Sequence, residues 1–229
     1  MTLLADVSIE VVRQRLVRHQ PADCTLPHRG DHELNPDMPF PLADSELKLA
    51  AVLIPIVNRP DGPTVLLTQR VETLRAHAGQ IAFPGGRLDT PDETPFAAAL
   101  REAQEEVGLE PERVEIITSL DCYRTRTGYN ITPVVGIVQP GFSLTLQEME
   151  VADAFEVPLS FLIDPERRIR ESRVFQGVPR FFYAIPYGPR YIWGATAGII
   201  VNLAEVLLPH AKSEPGLAGP TKNAQGAIS

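Results

Sequence analysis

The sequence predicts a fold that mixes helices with strands. Two apolar runs that suit strands, residues 49–57 and 64–70, lie on either side of a turn at residues 61–63. Residues 94–108 carry both a helix start signal and a helix stop signal. A second helix is predicted to run through about Leu208, before a proline that would end it.

Size, charge and cysteine content restrict the class of protein. The 229 residues can bury one substantial core, and 44% hydrophobic with 22% charged residues is typical of a globular chain. A net charge of −8 argues against nucleic acid as the main partner. No apolar run reaches the roughly 18 residues of a membrane helix, and no secretory signal is expected. Cys24 and Cys122 are too few and too far apart to predict a disulfide framework or zinc site, so a cytoplasmic location is expected.

The N-terminal part is predicted to be a short helix followed by an extended connector. Five prolines between residues 21 and 41 indicate the connector. In the first predicted strand, Pro55 suggests a position at a sheet edge or a bulge. The helix lies within residues 1–20, with one apolar face formed by Val7, Val11, Val12 and Leu16.

The helix at residues 94–108 has clear boundaries. Thr94 suits the N-cap, and Pro95 suits the first helical position, where its missing N–H costs nothing. Gly108 can take the left-handed conformation that ends a helix. An apolar face is predicted at helical spacing, formed by Phe96, Ala99, Leu100, Ala103 and Val107.

A different face of this helix is acidic, because Glu102, Glu105 and Glu106 lie three and four residues apart. Repulsion between Glu102 and Glu106 costs about 0.2–0.5 kcal/mol. The helix dipole disfavours negative charge in the last turn by roughly 0.3–1 kcal/mol. A divalent cation would reverse both penalties, and carboxylate oxygens suit Mg²⁺ or Mn²⁺. The glutamates alone leave a solvated acidic surface as the alternative.

The sequence from Gly85 to Leu109, GG-x(6)-E-x(7)-REAQEEVGL, closely resembles the Nudix box of the Nudix hydrolases. These enzymes bind Mg²⁺ and cleave diphosphates linked to another moiety. The resemblance implies the α/β class, as the Nudix α/β/α sandwich with a mixed sheet.

Carried over residue by residue, the box implies metal ligation by Glu102, Glu105 and Glu106, with Arg101 as the orienting arginine. This chain has one more residue between the glycine and Arg101 than the common Nudix spacing. The upstream acidic position of the motif is therefore left open between two residues, Asp92 and Glu93.

The segment before the box is similar to the extra signature of the coenzyme A pyrophosphatase branch, LLTxR, a small residue, then xxx-R-xxx-G-xxx-FPGG. The one-residue expansion of the box is also usual there. Val71 departs from the signature, which prefers Ser or Ala. The resemblance implies substrate binding by Arg70, Arg75, Gly85 and Gly86. For Arg70 and Arg75, a purely structural role as the partner of a nearby acid stays open.

After the box, strands are predicted over residues 114–120 and 131–138. The polar and aromatic loop between them, residues 123–130, is predicted to face the substrate. Its Arg124 and Arg126 would add positive charge where an anionic ligand arrives.

A glutamate farther along the chain is a further candidate for the site. Glu150 precedes a valine and the F-x-VP segment at residues 155–158, as a glutamate does in the family. The resemblance implies a metal ligand or the base that activates water, with a surface acid as the alternative.

The last part of the chain is predicted to hold a charged insert, strands and the closing helix. The insert spans residues 164–173, and strand material follows over residues 174–191. The IWGATAG sequence that leads into the closing helix again resembles the branch. The predicted units are an N-terminal helix and connector at 1–45, a Nudix domain at 46–210 and a disordered tail at 211–229.

The resemblance implies a pyrophosphatase that hydrolyses coenzyme A or its acyl derivatives to 3′,5′-ADP and 4′-phosphopantetheine with Mg²⁺ or Mn²⁺. Its catalytic residues would be Arg101, Glu105 and Glu150. Other Nudix substrates (NADH, ADP-ribose or oxidised nucleotides) and a non-catalytic ligand-sensing domain are the alternatives. The expected partner is a small-molecule substrate, without nucleic acid or membrane, and a homodimer is left open.

Overall fold

The computed structural model describes residues 7–25, 29–38, 40, 43, 46–73, 79–89, 94–175 and 177–208. Its four helices in this part of the chain are α1 (Ile9–Arg18), α2 (Pro95–Val107), α3 (Leu159–Leu162) and α4 (Ala195–Leu207). The strands are β1 (Arg29–Gly30), β2 (Lys48–Val57), β3 (Thr64–Arg70), β4 (Ile81–Ala82), β5 (Gly85–Arg87), β6 (Val114–Ser119), β7 (Tyr123–Arg124), β8 (Tyr129–Val138), β9 (Val151–Pro158), β10 (Ile169–Phe175), β11 (Val178–Tyr187) and β12 (Arg190–Trp193).

The first nine strands form one mixed sheet. Its path runs β1-β7-β8-β2-β3-β4, while β5 pairs with β2, β6 with β8 and β9 with β3. The β2–β8 and β1–β7 pairs are parallel and the others are antiparallel. A separate antiparallel sheet contains β10, β11 and β12 in that order.

Hydrophobic cores cover both faces of the large sheet. On one face, α2 packs Ala98, Ala99, Ala103 and Val107 against side chains of β2 and β8. On the other face, α1 and α4 share a core with Ile54, Leu67 and Val157. This arrangement confirms the predicted α/β/α sandwich with a mixed sheet.

The position of Pro55 corrects one prediction. β2 lies inside the sheet and not at its edge, with β8 on one side and β5 and β3 on the other. Leu53 donates its N–H to Pro84 on the β5 side. Pro55 has the same parity, so its missing donor faces the gap between the β5 and β3 pairings.

The N-terminal helix is confirmed, with Ser8 as its N-cap and Val12 and Leu16 buried against the core of α4. The sequence did not predict a disulfide between the two cysteines, but the structure contains one. Cys24 and Cys122 form a disulfide with their Cα atoms 5.3 Å apart, although 98 residues separate them in the chain. The bond ties the segment after α1 to the residue before β7.

The predicted substrate-facing loop is largely built into the fold. Arg124 is buried in β7, and its guanidinium donates to the backbone oxygen of Thr25. The backbone N–H of Arg126 donates to Asp31. Arg124 is therefore not exposed to an arriving anion, because the segment that carries Cys24 covers it.

The remaining elements agree with the predicted closing helix and correct the insert before it. Half of the charged insert becomes strand β10, which pairs with β11. Residues 211–229 lie outside the described part of the chain. None of the helices in the described part has the length and hydropathy that crossing a bilayer requires.

Candidate active site

The candidate site begins with the boundaries of α2, which fix where its glutamates lie. The Thr94 hydroxyl accepts the Ala97 N–H at 3.2 Å, Pro95 opens the helix, and Gly108 ends it at φ +69°. All three boundary predictions are confirmed. The predicted apolar face is only partly confirmed, because Phe96 is 41% exposed while Ala99, Ala103 and Val107 are buried.

The two glycines of β5 let backbone and carboxylate approach each other beneath α2. A Cβ atom at Gly85 would overlap the carbonyl oxygen of Ala51 on β2. A Cβ atom at Gly86 would overlap the carboxylate of Glu102. Only glycine fits at both positions without a shift, so the strand and the acidic helix face are built as one unit.

Glu106 is the centre of the site and is 4% exposed. Its Oε2 accepts the Gly85 backbone N–H at 3.2 Å, and its Oε1 lies 3.4 Å from Arg70 Nη1. Burial, reinforced by the nearby charges of Glu102 and Glu150, raises the pKa of Glu106 to about 7, although Gly85 and Arg70 oppose the shift. The alternative of a solvated acidic face is therefore wrong for this residue.

Glu102 lies one helical turn before Glu106 and is half-buried. Burial raises the pKa of its carboxyl above the ordinary value, an effect that Arg101 opposes and the charge of Glu105 reinforces. Carboxylates with raised pKa values in one place are costly to ionise unless a positive charge joins them.

Arg101 holds the outer side of the acidic face. Its Nη1 lies 3.1 Å from both Glu102 Oε1 and Glu105 Oε2, and its Nη2 donates to the Arg87 carbonyl oxygen at 3.1 Å. Asp89 lies 3.5 Å from the same guanidinium. Arg101 therefore pairs with Glu105 one turn along the helix, while the Glu105 carboxylate itself is mostly exposed.

Arg70, at the end of β3, joins two acids from different parts of the chain. Its guanidinium lies 3.4 Å from Glu106 and 4.0 Å from Glu150. The side chain of Glu150 is half-exposed, and its backbone oxygen accepts the Val71 N–H at 3.0 Å. The pairing of β3 with β9 thus brings Glu150 beside α2. Arg70 also has the acid partner that a purely structural role would require.

The donor set fits a hard divalent cation. In the described residues, no three acidic, histidine or cysteine side chains form a preformed metal cluster. Glu102 and Glu106 nevertheless present carboxylate oxygens one helical turn apart, and burial together with the charge of Glu102 raises the pKa of Glu106. A cation would favour the charged form of both groups, and oxygen is the ligand atom that Mg²⁺ and Mn²⁺ prefer.

Three residues of the predicted site, Arg75, Asp92 and Glu93, lie outside the described residues.

The structure adds a cavity of about 500 Å³ beside Arg70. Its position follows from Gln80, whose backbone oxygen accepts the Arg70 N–H at 3.0 Å. Sequence reasoning missed it because its walls come from strands distant in the chain. Among the lining residues are Gln69, Gln80, Asp153, Arg190, Tyr191 and Trp193.

Comparison with known proteins finds related sequences and structures. The model of the NUDIX domain family matches residues 47–168. The protein named Uncharacterized Nudix hydrolase NudL of Photorhabdus laumondii is 43% identical over 178 residues, which cover 74% of this chain and 90% of that protein. The protein of the same name from Cronobacter sakazakii is 46% identical over 163 residues, covering 68% and 80%.

Among solved structures, the MutT protein of Methanosarcina mazei aligns with 72% of this chain and 96% of its own. The two are 18% identical, and the TM-score is 0.45.

Proposed function

This chain belongs to the Nudix hydrolase family, whose members act on nucleoside diphosphate derivatives, and from that premise we propose coenzyme A or an acyl-coenzyme A as its substrate. Water would cleave the diphosphate to give 3′,5′-ADP and 4′-phosphopantetheine. The sequence signature LLTQR…FPGG supports this substrate class, because it is similar to that of the coenzyme A pyrophosphatase branch.

One observation carries the proposal: both parts of that signature contact the same box glutamate. Arg70 of the first part lies 3.4 Å from Glu106, and Gly85 of the second part donates its N–H to Glu106 at 3.2 Å. The signature therefore borders the carboxylates expected to act on the diphosphate.

The proposed metal ligands are Glu102, Glu105 and Glu106, holding Mg²⁺ or Mn²⁺. A bound cation of this kind neutralises diphosphate oxygens and lowers the pKa of water. Arg101 keeps Glu102 and Glu105 in place through its two 3.1 Å contacts. This residue therefore acts by positioning the carboxylates.

The substrate would be bound by Arg70, Arg75, Gly85 and Gly86. Arg70 offers a cation beside the acids, and a guanidinium can bind phosphate oxygens with two hydrogen bonds. The Gly85 N–H donates to Glu106 and the Glu102 carboxylate lies where a Gly86 side chain would extend, so both glycines adjoin the proposed metal ligands.

The proton of the attacking water would pass to a glutamate carboxylate. Glu105 is held by Arg101 at 3.1 Å, whereas Glu150 lies 4.0 Å from Arg70 and is half-exposed. The weaker pairing of Glu150 favours it as the base, with Glu105 as the alternative.

The proposal also includes a cytoplasmic location, where coenzyme A is a soluble small-molecule substrate. Thiols in that compartment are usually kept reduced. The redox state of Cys24 and Cys122 in freshly lysed cells, measured by thiol labelling, therefore tests this location.

The deciding experiment measures turnover of coenzyme A, NADH and ADP-ribose with Mg²⁺ and with Mn²⁺. Wild type is compared with Glu106→Gln and with Glu148→Gln, which changes an exposed glutamate near the site. Metal-dependent release of 3′,5′-ADP that only Glu106→Gln abolishes supports the proposal. Turnover of another diphosphate without coenzyme A would reject the substrate, and ligand binding without any turnover would favour a sensing domain.

A further inference from the structure

β10 is an edge strand with unusually exposed side chains. Its only strand partner in the described part of the chain is β11. Six of its seven residues are exposed, and three of these are large and apolar: Ile169 at 40%, Val174 at 73% and Phe175 at 56%. A long exposed edge of this kind is a template for pairing with another strand.

The direction of the free backbone groups follows from β11. Asn35 uses its side-chain amide to bond both the N–H and the C=O of Phe181, at 2.8 and 2.9 Å. The backbone N–H and C=O of Phe181 therefore point away from β10. Ser172, the residue opposite it, forms a non-hydrogen-bonded pair with Phe181. By the alternation of antiparallel strands, Ser172, Arg170 and Val174 direct their backbone N–H and C=O groups to the open edge.

We propose that β10 pairs with β10 of a second copy of this chain, antiparallel about a two-fold axis that lies midway between the two Ser172 residues. The axis runs perpendicular to the sheet, so the two small sheets join as one six-stranded sheet. Two Ser172 residues then lie opposite each other and exchange their outward hydrogen bonds.

Charge favours this register over the two neighbouring ones. A two-fold axis perpendicular to the sheet leaves each face of β10 on the same side in both copies, so it must lie between two copies of one residue and oppose residues of the same parity. Centring on Glu171 opposes two glutamates, and centring on Arg173 opposes two arginines. Centring on Ser172 places Glu171 opposite Arg173 of the partner strand twice, with no like charges opposed.

The same register pairs apolar side chains and uses charges that are already held in place. Ile169 lies opposite Phe175 of the second strand, so two exposed apolar side chains cover each other on each side. Glu171 accepts the Tyr191 hydroxyl at 2.5 Å, and the Arg173 guanidinium lies 4.7 Å from the Trp193 ring centroid. Groups ordered before association lose less entropy when they pair.

Cysteine crosslinking tests the register directly. Opposed residues of a hydrogen-bonded antiparallel pair have Cα atoms about 5.5 Å apart, within the range that a disulfide spans. Ser172→Cys should therefore form a covalent dimer under mild oxidation. Val174→Cys, also exposed on β10, should not, because the two copies of residue 174 would be offset by four residues, or about 13 Å. The two native cysteines are paired with each other.

Light scattering and sedimentation of the full chain measure the assembly itself. Wild type should have twice the 25.2 kDa chain mass. Arg173→Glu should raise the dissociation constant of the dimer by about tenfold or more, because four carboxylates would then face each other in two pairs. The double exchange Glu171→Arg with Arg173→Glu should restore dimerisation, since it recreates both pairs with the charges reversed.

A backbone variant provides a second test that leaves the charges unchanged. Ser172→Pro removes an outward N–H without removing a β10–β11 hydrogen bond, and should dissociate the dimer. Ser172→Thr keeps the donor and should remain dimeric. Circular dichroism of each variant checks that it is folded. A monomeric wild type at tens of micromolar, or a dimer that no folded β10 variant weakens, would overturn the proposal.

Discussion

Replacing Glu106 by glutamine should stabilise the metal-free protein at pH 8 while removing its activity. The carboxyl has an ordinary pKa of 4.5 and a pKa of about 7 in the fold, because burial opposes its charge. One pKa unit corresponds to about 1.4 kcal/mol, so ionising the buried group fully costs on the order of 3 kcal/mol. Glutamine has the same shape and never ionises.

The stability of the metal-free wild type should decrease as the pH rises. The unfolded chain releases the Glu106 proton near pH 4.5 and the folded chain near pH 7, so the folded state binds more protons between these values. Stability therefore falls as pH rises through this window, and the cost is absent well below pH 4.5. The stability advantage of Glu106→Gln should grow from about 1 kcal/mol at pH 5 to about 3 kcal/mol at pH 8.

Urea unfolding in the presence of EDTA measures these free energies. Glu105→Gln is the matched control, because it removes the same charge one residue earlier from a mostly exposed position. Adding Mg²⁺ at pH 8 should reduce the advantage of Glu106→Gln, since a bound cation stabilises the folded wild type. If Glu106→Gln were less stable than wild type at pH 8, or its advantage the same at both pH values, the assignment of a buried and costly charge would be incorrect.

Three further variants test other parts of the structure. Gly86→Ala should reduce kcat/KM by roughly 10–100-fold, because its Cβ displaces the Glu102 carboxylate; titration of metal-dependent activity should show weaker Mg²⁺ binding. Glu150→Gln should lower kcat by about 10²–10⁴-fold as loss of the proposed base, while Glu148→Gln should leave kcat unchanged. Cys24→Ser should lower the free energy of unfolding by about 2–5 kcal/mol, because the disulfide closes a long loop; urea unfolding without reductant checks this, and equal stability would contradict it.

Local signals in the sequence were sufficient for α2 and its boundaries. Thr94, Pro95 and Gly108 act within one turn of the helix, so their roles do not depend on the rest of the fold. The pairing of Arg101 with Glu105 is local for the same reason, since residues four apart face each other on a helix.

Features that depend on distant strands could not be predicted from local signals in the sequence. Glu106 appears on the helix as one of three similar glutamates, and only the positions of β3 and β5 decide that it is buried. The edge position predicted for Pro55 failed because the gap beside it is created by β5 and β3 together. Cys24 and Cys122 meet across 98 residues, a contact that spacing alone does not indicate.

The contacts of Glu106 also bear on how the two glycines contribute. Gly85 donates to the Glu106 carboxylate, and Gly86 provides the space that the Glu102 carboxylate occupies. Both glycines therefore act first on the proposed metal ligands, although they were predicted from the sequence as substrate-binding residues. Substitutions at either glycine should shift the Mg²⁺ concentration needed for half-maximal activity more than they shift the KM for coenzyme A. An effect confined to KM would instead place both glycines in direct contact with the substrate.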